Sequence, residues 1–206
     1  VYMLPDFYYS IEKPATGEYK DRGSKFLAYA FPIATVADFK LILARIKKEH
    51  PKAAHHCFAY RLGFENLVFR VSDDGEPSGS AGRPILGQID SLQLTNVIII
   101  VVRYFGGTLL GVPGLIHAYK SASYESLQQA VIVKKPVLIS YRLQFDYTIL
   151  NQVMRWVKQF ECEVYKNEMQ LFCILEISVP KIHLQEMEKR ISEINGVEME
   201  KILSES

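Results

Sequence analysis

The feature that most constrains the fold is a run of six branched apolar residues, Val97-Ile98-Ile99-Ile100-Val101-Val102, held between two glycine-rich turns. β-branched residues with no polar alternation predict a strand covered on both faces. The turn before it reads Asp73-Asp74-Gly75-Glu76-Pro77-Ser78-Gly79-Ser80-Ala81-Gly82, and the turn after it Arg103-Tyr104-Phe105-Gly106-Gly107-Thr108. Glycine, serine and arginine at the ends of rigid elements often shape backbone N–H groups for an anion. The competing reading is two tight turns whose glycines simply allow positive φ.

Helical spacing appears at Val36, Phe39, Ile42, Leu43 and Ile46, ahead of Pro51. Strands are predicted at 8–12 and 25–31, joined through Pro14-Ala15-Thr16-Gly17, and a hairpin at 55–62 and 67–72 around Gly63-Phe64-Glu65-Asn66. A short helix follows at 83–92, with Pro84 and Gly87 as candidate breaks. Another opens near Pro113-Gly114 and runs through Leu115, Ala118, Tyr119, Ala122 and Leu127 to Ala130. Lys134-Lys135-Pro136 marks a boundary, giving domains 1–135 and 136–206. The second reads strand 137–147, helix 149–160, strands 161–168 and 170–179, helix 181–194 and strand 197–203, a ferredoxin-like βαββαβ order. The fold class is α+β.

The chain has 206 residues and a net charge of +1. Residues 1–135 carry 16 Lys and Arg against 12 Asp and Glu, while 136–206 carry 8 against 11, so a phosphate-binding surface is expected on the first part. The longest apolar run is far short of the ~20 residues needed to span a bilayer, and the first residues lack the pattern of a signal peptide. Three separated cysteines, Cys57, Cys162 and Cys173, build neither a disulfide framework nor a cysteine-rich zinc site and fit a cytoplasmic protein.

Several catalytic and binding patterns are incomplete. Gly114 to Ser121 resembles the tail of a P-loop, but Tyr119 stands where glycine is needed. His55 and Cys57 share one strand face and His56 the other, too few ligands for zinc unless Asp73 or Glu76 adds a third. A hydrolase working from His55, Asp73 and Glu76, with or without a metal, is one alternative; a protein-interaction module without nucleic acid is another. Arg103, at the end of a buried strand, must either pair with Asp73, Asp74 or Glu76 or face a ligand. Arg22 and Lys25 add cations near a flexible turn, and Tyr104, Phe105 and Tyr119 either offer aromatic faces for stacking bases or belong to the core, the reading expected for Phe105. No cofactor, metal or catalytic residue is assigned.

Four blocks in order, Arg22-Gly23-Ser24-Lys25-Phe26, Ala54-His55-His56-Cys57-Phe58-Ala59-Tyr60, the run 73–82, and Val102-Arg103-Tyr104-Phe105-Gly106-Gly107 followed by Leu110-Gly111, resemble the IMPACT family. The resemblance, to a bacterial member with a small C-terminal domain, implies a first domain like the second domain of ribosomal protein S5. It implies a second domain like the fifth domain of elongation factor G. Both point to RNA or a ribosome-associated protein as partner, and to a non-enzymatic regulator of translation. Eukaryotic members restrain an amino-acid-starvation kinase through an additional N-terminal domain that is not expected among these residues. Pro113 and His117 depart from the small residue and the arginine that many relatives carry. The anion- or nucleic-acid-binding surface expected from all of this comprises Arg22, Lys25, Ser78, Gly79, Ser80, Arg83, Arg103, Gly106, Gly107 and Lys120.

Overall fold

The apolar run lies in the middle strand of a five-stranded antiparallel sheet. A computed structural model describes residues 5–64 and 68–202. Up to residue 136 the elements are β1 (Phe7–Ile11), β2 (Ala15–Asp21), β3 (Ser24–Pro32), α1 (Val36–Glu49), β4 (His55–Leu62), β5 (Val68–Ser72), α2 (Gly82–Ser91), β6 (Val97–Tyr104), α3 (Gly111–Gln128) and β7 (Ile132–Pro136). The large sheet has the order β2-β3-β6-β4-β5, and β1 pairs with β7 in a separate ribbon. Residues 8–135 form one compact unit; residues 5–7 group with the second.

Alternation along β6 sorts its side chains into two cores. Ile98, Ile100 and Val102 pack with Phe58 and Tyr60 of β4 and with Phe39 and Ile46 of α1. Val97, Ile99 and Val101 pack with Ile85 and Ile89 of α2 and with Leu115, Ala118, Tyr119 and Ala122 of α3. Each fully buried Ile or Val contributes roughly 1.5–3 kcal/mol, so this one strand anchors both layers. Thr35 and Asp38 form a reciprocal capping box at the start of α1.

Four elements differ from the expected ones. Residues 15–21 form the edge strand β2 rather than a connection, and 132–136 form β7 across the expected boundary. Helix α2 continues through Pro84 and Gly87, because Pro84 stands in the first turn where its missing N–H has no helical acceptor. Helix α3 opens at Gly111, which puts Pro113 in its first turn as well. The expected hairpin turn reaches Glu65, Asn66 and Leu67, which lie outside the described residues; β4 and β5 pair antiparallel on either side.

The second unit contains β8 (Leu138–Phe145), α4 (Leu150–Gln159), β9 (Glu163–Met169), β10 (Cys173–Pro180), α5 (Leu184–Ser192) and β11 (Val197–Lys201). A 3₁₀ turn leads into each helix, at Tyr147–Ile149 and Lys181–His183. Its sheet order, β11-β8-β10-β9, is the ferredoxin-like arrangement. Leu143, Phe145, Leu175 and Ile177 are buried from the sheet, and Val153, Val157, Met187 and Ile191 from the helices. On the other sheet face Arg142 stands opposite Glu176 and Glu200, and Lys166 opposite Glu176. Among the described residues no helix is long and apolar enough to cross a membrane.

Candidate functional site

The first glycine-rich turn carries its own anion. Asp73 follows the end of β5, and its carboxylate accepts hydrogen bonds from the backbone N–H groups of Gly79 at 2.9 Å, Ala81 at 3.0 Å and Gly82 at 2.8 Å. No side chain at the Ala81 N-cap serves α2, so Asp73 caps the helix from nine residues upstream. Burial opposes the charge on Asp73, but the three N–H donors together outweigh it and hold the carboxyl below its ordinary value. This corrects the expectation that these N–H groups face a ligand: their acceptor is internal. Ser80 is fully buried, and its hydroxyl has no partner among the described residues. Ser78 and Arg83 are exposed, the Arg83 guanidinium lying 5.7 Å from the Phe69 ring centroid.

The next two acidic residues of the turn are also engaged. Asp74 accepts the His56 N–H through its carboxylate at 2.7 Å, and its carbonyl lies 2.8 Å from His55 Nδ1. Glu76 is 8% exposed and receives Arg103 Nη1 at 2.6 Å and the Tyr119 hydroxyl at 2.7 Å. Arg103 thus resolves its two options in favour of Glu76, and the ion pair ties the first turn to the end of β6. Its guanidinium carbon lies 5.4 Å from the Phe26 ring centroid and 5.6 Å from that of Phe105. Cys57 Sγ lies 3.3 Å from the Tyr119 oxygen and 3.0 Å from the Asp73 carbonyl. Burial raises the Cys57 thiol and the Tyr119 hydroxyl far above their ordinary values, so both stay protonated at neutral pH.

These contacts bear on the hydrolase alternative directly. Asp73 is turned toward the loop amides and Glu76 toward Arg103 and Tyr119, while His55 Nε2 stands 3.8 Å from Glu76. No third ligand reaches His55 and Cys57: among the described residues no group of three His, Cys, Asp or Glu is placed to hold a metal ion. Tyr119 is fully buried, which corrects its expected role as a stacking face, and Phe105, expected in the core, is instead half-exposed at 52%.

The second turn meets the Arg22-Gly23-Ser24 turn between β2 and β3. Gly106 N–H donates to Ser24 Oγ at 3.1 Å, and a Cβ on Gly106 would sit 1.9 Å from the Gly23 carbonyl carbon. Only glycine permits that approach. Arg22 is exposed beside this junction, and Lys25 pairs with Glu18 at 3.1 Å. The structure therefore brings Arg22, Lys25, Arg103, Gly106 and Gly107 to one end of the sheet and joins the 73–82 turn to it through Glu76. Lys120 is exposed on α3, next in sequence to buried Tyr119. Where the two turns converge, a pocket of about 520 Å³ opens. Phe105, Leu109, Leu110, Val112 and Leu115 wall it, with His55, Glu76 and Arg103 beneath.

The model of the Impact N-terminal domain matches residues 22–127, from the Arg22 turn to the last turn of α3. The chain belongs to the IMPACT family. IMPACT family member YigZ of Escherichia coli (strain K12) is 30% identical over 184 residues, covering 88% of this chain and 90% of that protein. Protein IMPACT of Mus musculus is 35% identical over 96 residues, 44% of this chain and 30% of that protein. A crystal structure described as that of an hypothetical protein superposes with a TM-score of 0.76 at 29% identity, covering 98% of this chain and all of the other.

The IMPACT match encloses every residue expected at the site. Pro113 and His117, expected as departures from the IMPACT pattern, are accommodated locally. Pro113 fits the first turn of α3, and His117 packs edge-on against Tyr19, with ring centroids 5.6 Å apart. The helical spacing of Leu115, Ala118, Tyr119 and Ala122 is the signal that puts Tyr119 on the buried face.

Proposed function

We propose that this protein is a non-enzymatic regulator of translation in the cytoplasm, and that its first unit docks on a ribosome-associated protein. The observation that carries the reading is the exposed apolar rim at the turn junction: Phe105 at 52%, Leu109 at 81% and Val112 at 45% exposure, with Ile116 one helical turn beyond Val112. Large apolar side chains left in water beside a glycine-built junction suit an interface core. Arg22, exposed in the turn that meets Gly106, supplies a cation that steers approach rather than most of the affinity. Family membership supports the link to translation, since the resemblance that led to the family implies it.

A second reading, direct RNA binding, is favoured by the exposed cations Arg22, Arg83 and Lys120. It has to use side chains alone, since the loop amides are committed to Asp73. The open face of the second unit's sheet is a poor surface for it: Glu168, Glu176, Glu198 and Glu200 outnumber Arg142 and Lys166.

Co-sedimentation of the full chain with purified ribosomes tests the two readings. Leu109→Asp changes a side chain with little burial to lose, so the fold is expected to persist and association to fall at least about tenfold. The double variant Arg22→Glu with Arg83→Glu is expected to lower association modestly. Loss of binding in that double variant, a steep salt dependence and full binding by Leu109→Asp would instead establish the RNA reading.

A further inference from the structure

Strand β9 lies at one edge of the second unit's sheet and is bonded to β10 on one side. Its other row of backbone N–H and C=O groups meets no strand among the described residues, which makes it a template for a further strand. Apolar side chains collect along this edge. Tyr165 and Met169 on the strand and Phe172 just after it are about half exposed, and Leu171 is largely so. Natural sheet edges are commonly blocked by an uncompensated charge, often lysine. Lys166 does not act in that way, because its Nζ lies 3.1 Å from Glu168 Oε1 and 3.7 Å from Glu176 Oε1. Lys166 and Glu168 stand opposite Glu176 and Ile174 on the open sheet face, while Asn167 and Met169 stand opposite buried Leu175 and Cys173. Tyr165 has no residue opposite it on β10, where the register shifts, and follows Asn167 and Met169 in the alternation.

From this pattern we infer that two copies of the chain pair antiparallel through β9, joining their four-stranded sheets edge to edge. A two-fold axis normal to the sheet keeps each face on its own side, so one residue of β9 stands opposite itself. With Asn167 on the axis, Lys166 faces Glu168 of the second copy, and Glu168 faces Lys166 of the second copy. The symmetry thus supplies two opposite-charge pairs on the open face. On the other face Tyr165 meets Met169 of the second copy, again twice, an aromatic ring against a thioether. Moving the axis by one residue fails in either direction. Centring on Lys166 sets lysine against lysine, and centring on Glu168 sets glutamate against glutamate. Charge therefore favours a second copy as the occupant and fixes its register. The sheet's other edge, β11, lacks this self-complementarity, since centring it on Met199 opposes Glu198 to Glu200. The pairing uses no residue of the turn junction in the first unit.

Sedimentation equilibrium of the full chain tests the pairing. It is expected to show a reversible monomer–dimer equilibrium, the heavier species having twice the 23.6 kDa of one chain. An edge contact is small, so a dissociation constant of roughly 1–100 μM is expected. Glu168→Lys, at an exposed position, makes both charge pairs repulsive and should weaken the dimer at least about tenfold; Lys166→Glu should do the same. Exchanging the charges in one chain, Lys166→Glu with Glu168→Lys, restores attraction across the axis and should recover the dimer. Mixing the two single variants should likewise give a mixed dimer that neither forms alone. Far-UV circular dichroism checks that each variant is folded. Hydrogen exchange of the unaltered chain should slow at the amides of residues 165–169 as its concentration rises. A chain that stays monomeric up to about 1 mM overturns the proposal. So do single variants that dimerise as well as the parent, a folded charge-exchanged chain that stays monomeric, or β9 amides indifferent to concentration. None of these outcomes involves ribosomes, so failure here leaves the partner reading standing.

Discussion

Arg103 and Glu76 hold each other where neither meets bulk water, their side chains 6% and 3% exposed. Such a pair need not add net stability, but removing one member strands the other's charge. Arg103→Met is therefore expected to lower unfolding free energy by about 3–5 kcal/mol in urea titration. Adding Glu76→Gln should recover part of that loss, and additive effects would contradict the coupling. Acid acts on two other residues, with the same sign. The Asp73 carboxyl is held low, so its stabilisation is complete above the unfolded value of about 3.9 and is lost as pH falls through the folded value. His56 is shifted down, burial being the main cause, so the folded state disfavours its protonation and stability declines once pH drops below the unfolded value of about 6.5. Thermal melting across pH 3–7 should fall in both windows; His56→Gln should flatten the upper one and Asp73→Asn the lower. The need for an acidic partner at Arg103 was legible because a cation ends an apolar strand. The choice of Glu76 over Asp73 and Asp74 was not, since it depends on how the turn folds back across β4.

Among the elements, the most legible were those with a strong period. Strand β6 was evident from six branched apolar residues, and α1 from its spacing and its stop at Pro51. The edge strand β2 escaped because Ala15-Thr16-Gly17-Glu18-Tyr19-Lys20-Asp21 carries little apolar alternation and a glycine. Its glycine is explained by α3: a Cβ at Gly17 would sit 2.3 Å from the Ser126 backbone nitrogen. Gly17→Ala must therefore push α3 off the sheet edge, at a cost of about 1–3 kcal/mol or more. Gly87 offers the opposite case, a mid-helix glycine of α2 with no atom within 4 Å of an added Cβ. Gly87→Ala is expected to raise stability by about 0.5–1 kcal/mol. Chemical denaturation of the two variants should show these opposite signs; destabilisation by Gly87→Ala would contradict the packing described for α2.

At the scale of the whole molecule, charge and apolar surface are distributed unequally. The first unit carries the glycine junction, its apolar rim and exposed cations, while the second presents a sheet face where carboxylates outnumber cations. The sequence-level charge asymmetry pointed to the first unit, but it did not reveal that the turn amides are already satisfied. That information lies in a contact between Asp73 and residues six to nine positions later, and a glycine-rich turn looks the same on paper whether its anion is a neighbour or a ligand. The first turn is closed by its own carboxylate and frames an apolar pocket. Backbone amide NMR of the full chain, with acid and with inorganic phosphate in turn, checks that closure. The Gly79, Ala81 and Gly82 amides are expected to shift together as Asp73 titrates, with a midpoint below the ordinary value of about 3.9, and to stay unmoved by phosphate at neutral pH. Saturable phosphate shifts at those three amides, with no response to acid, would contradict it.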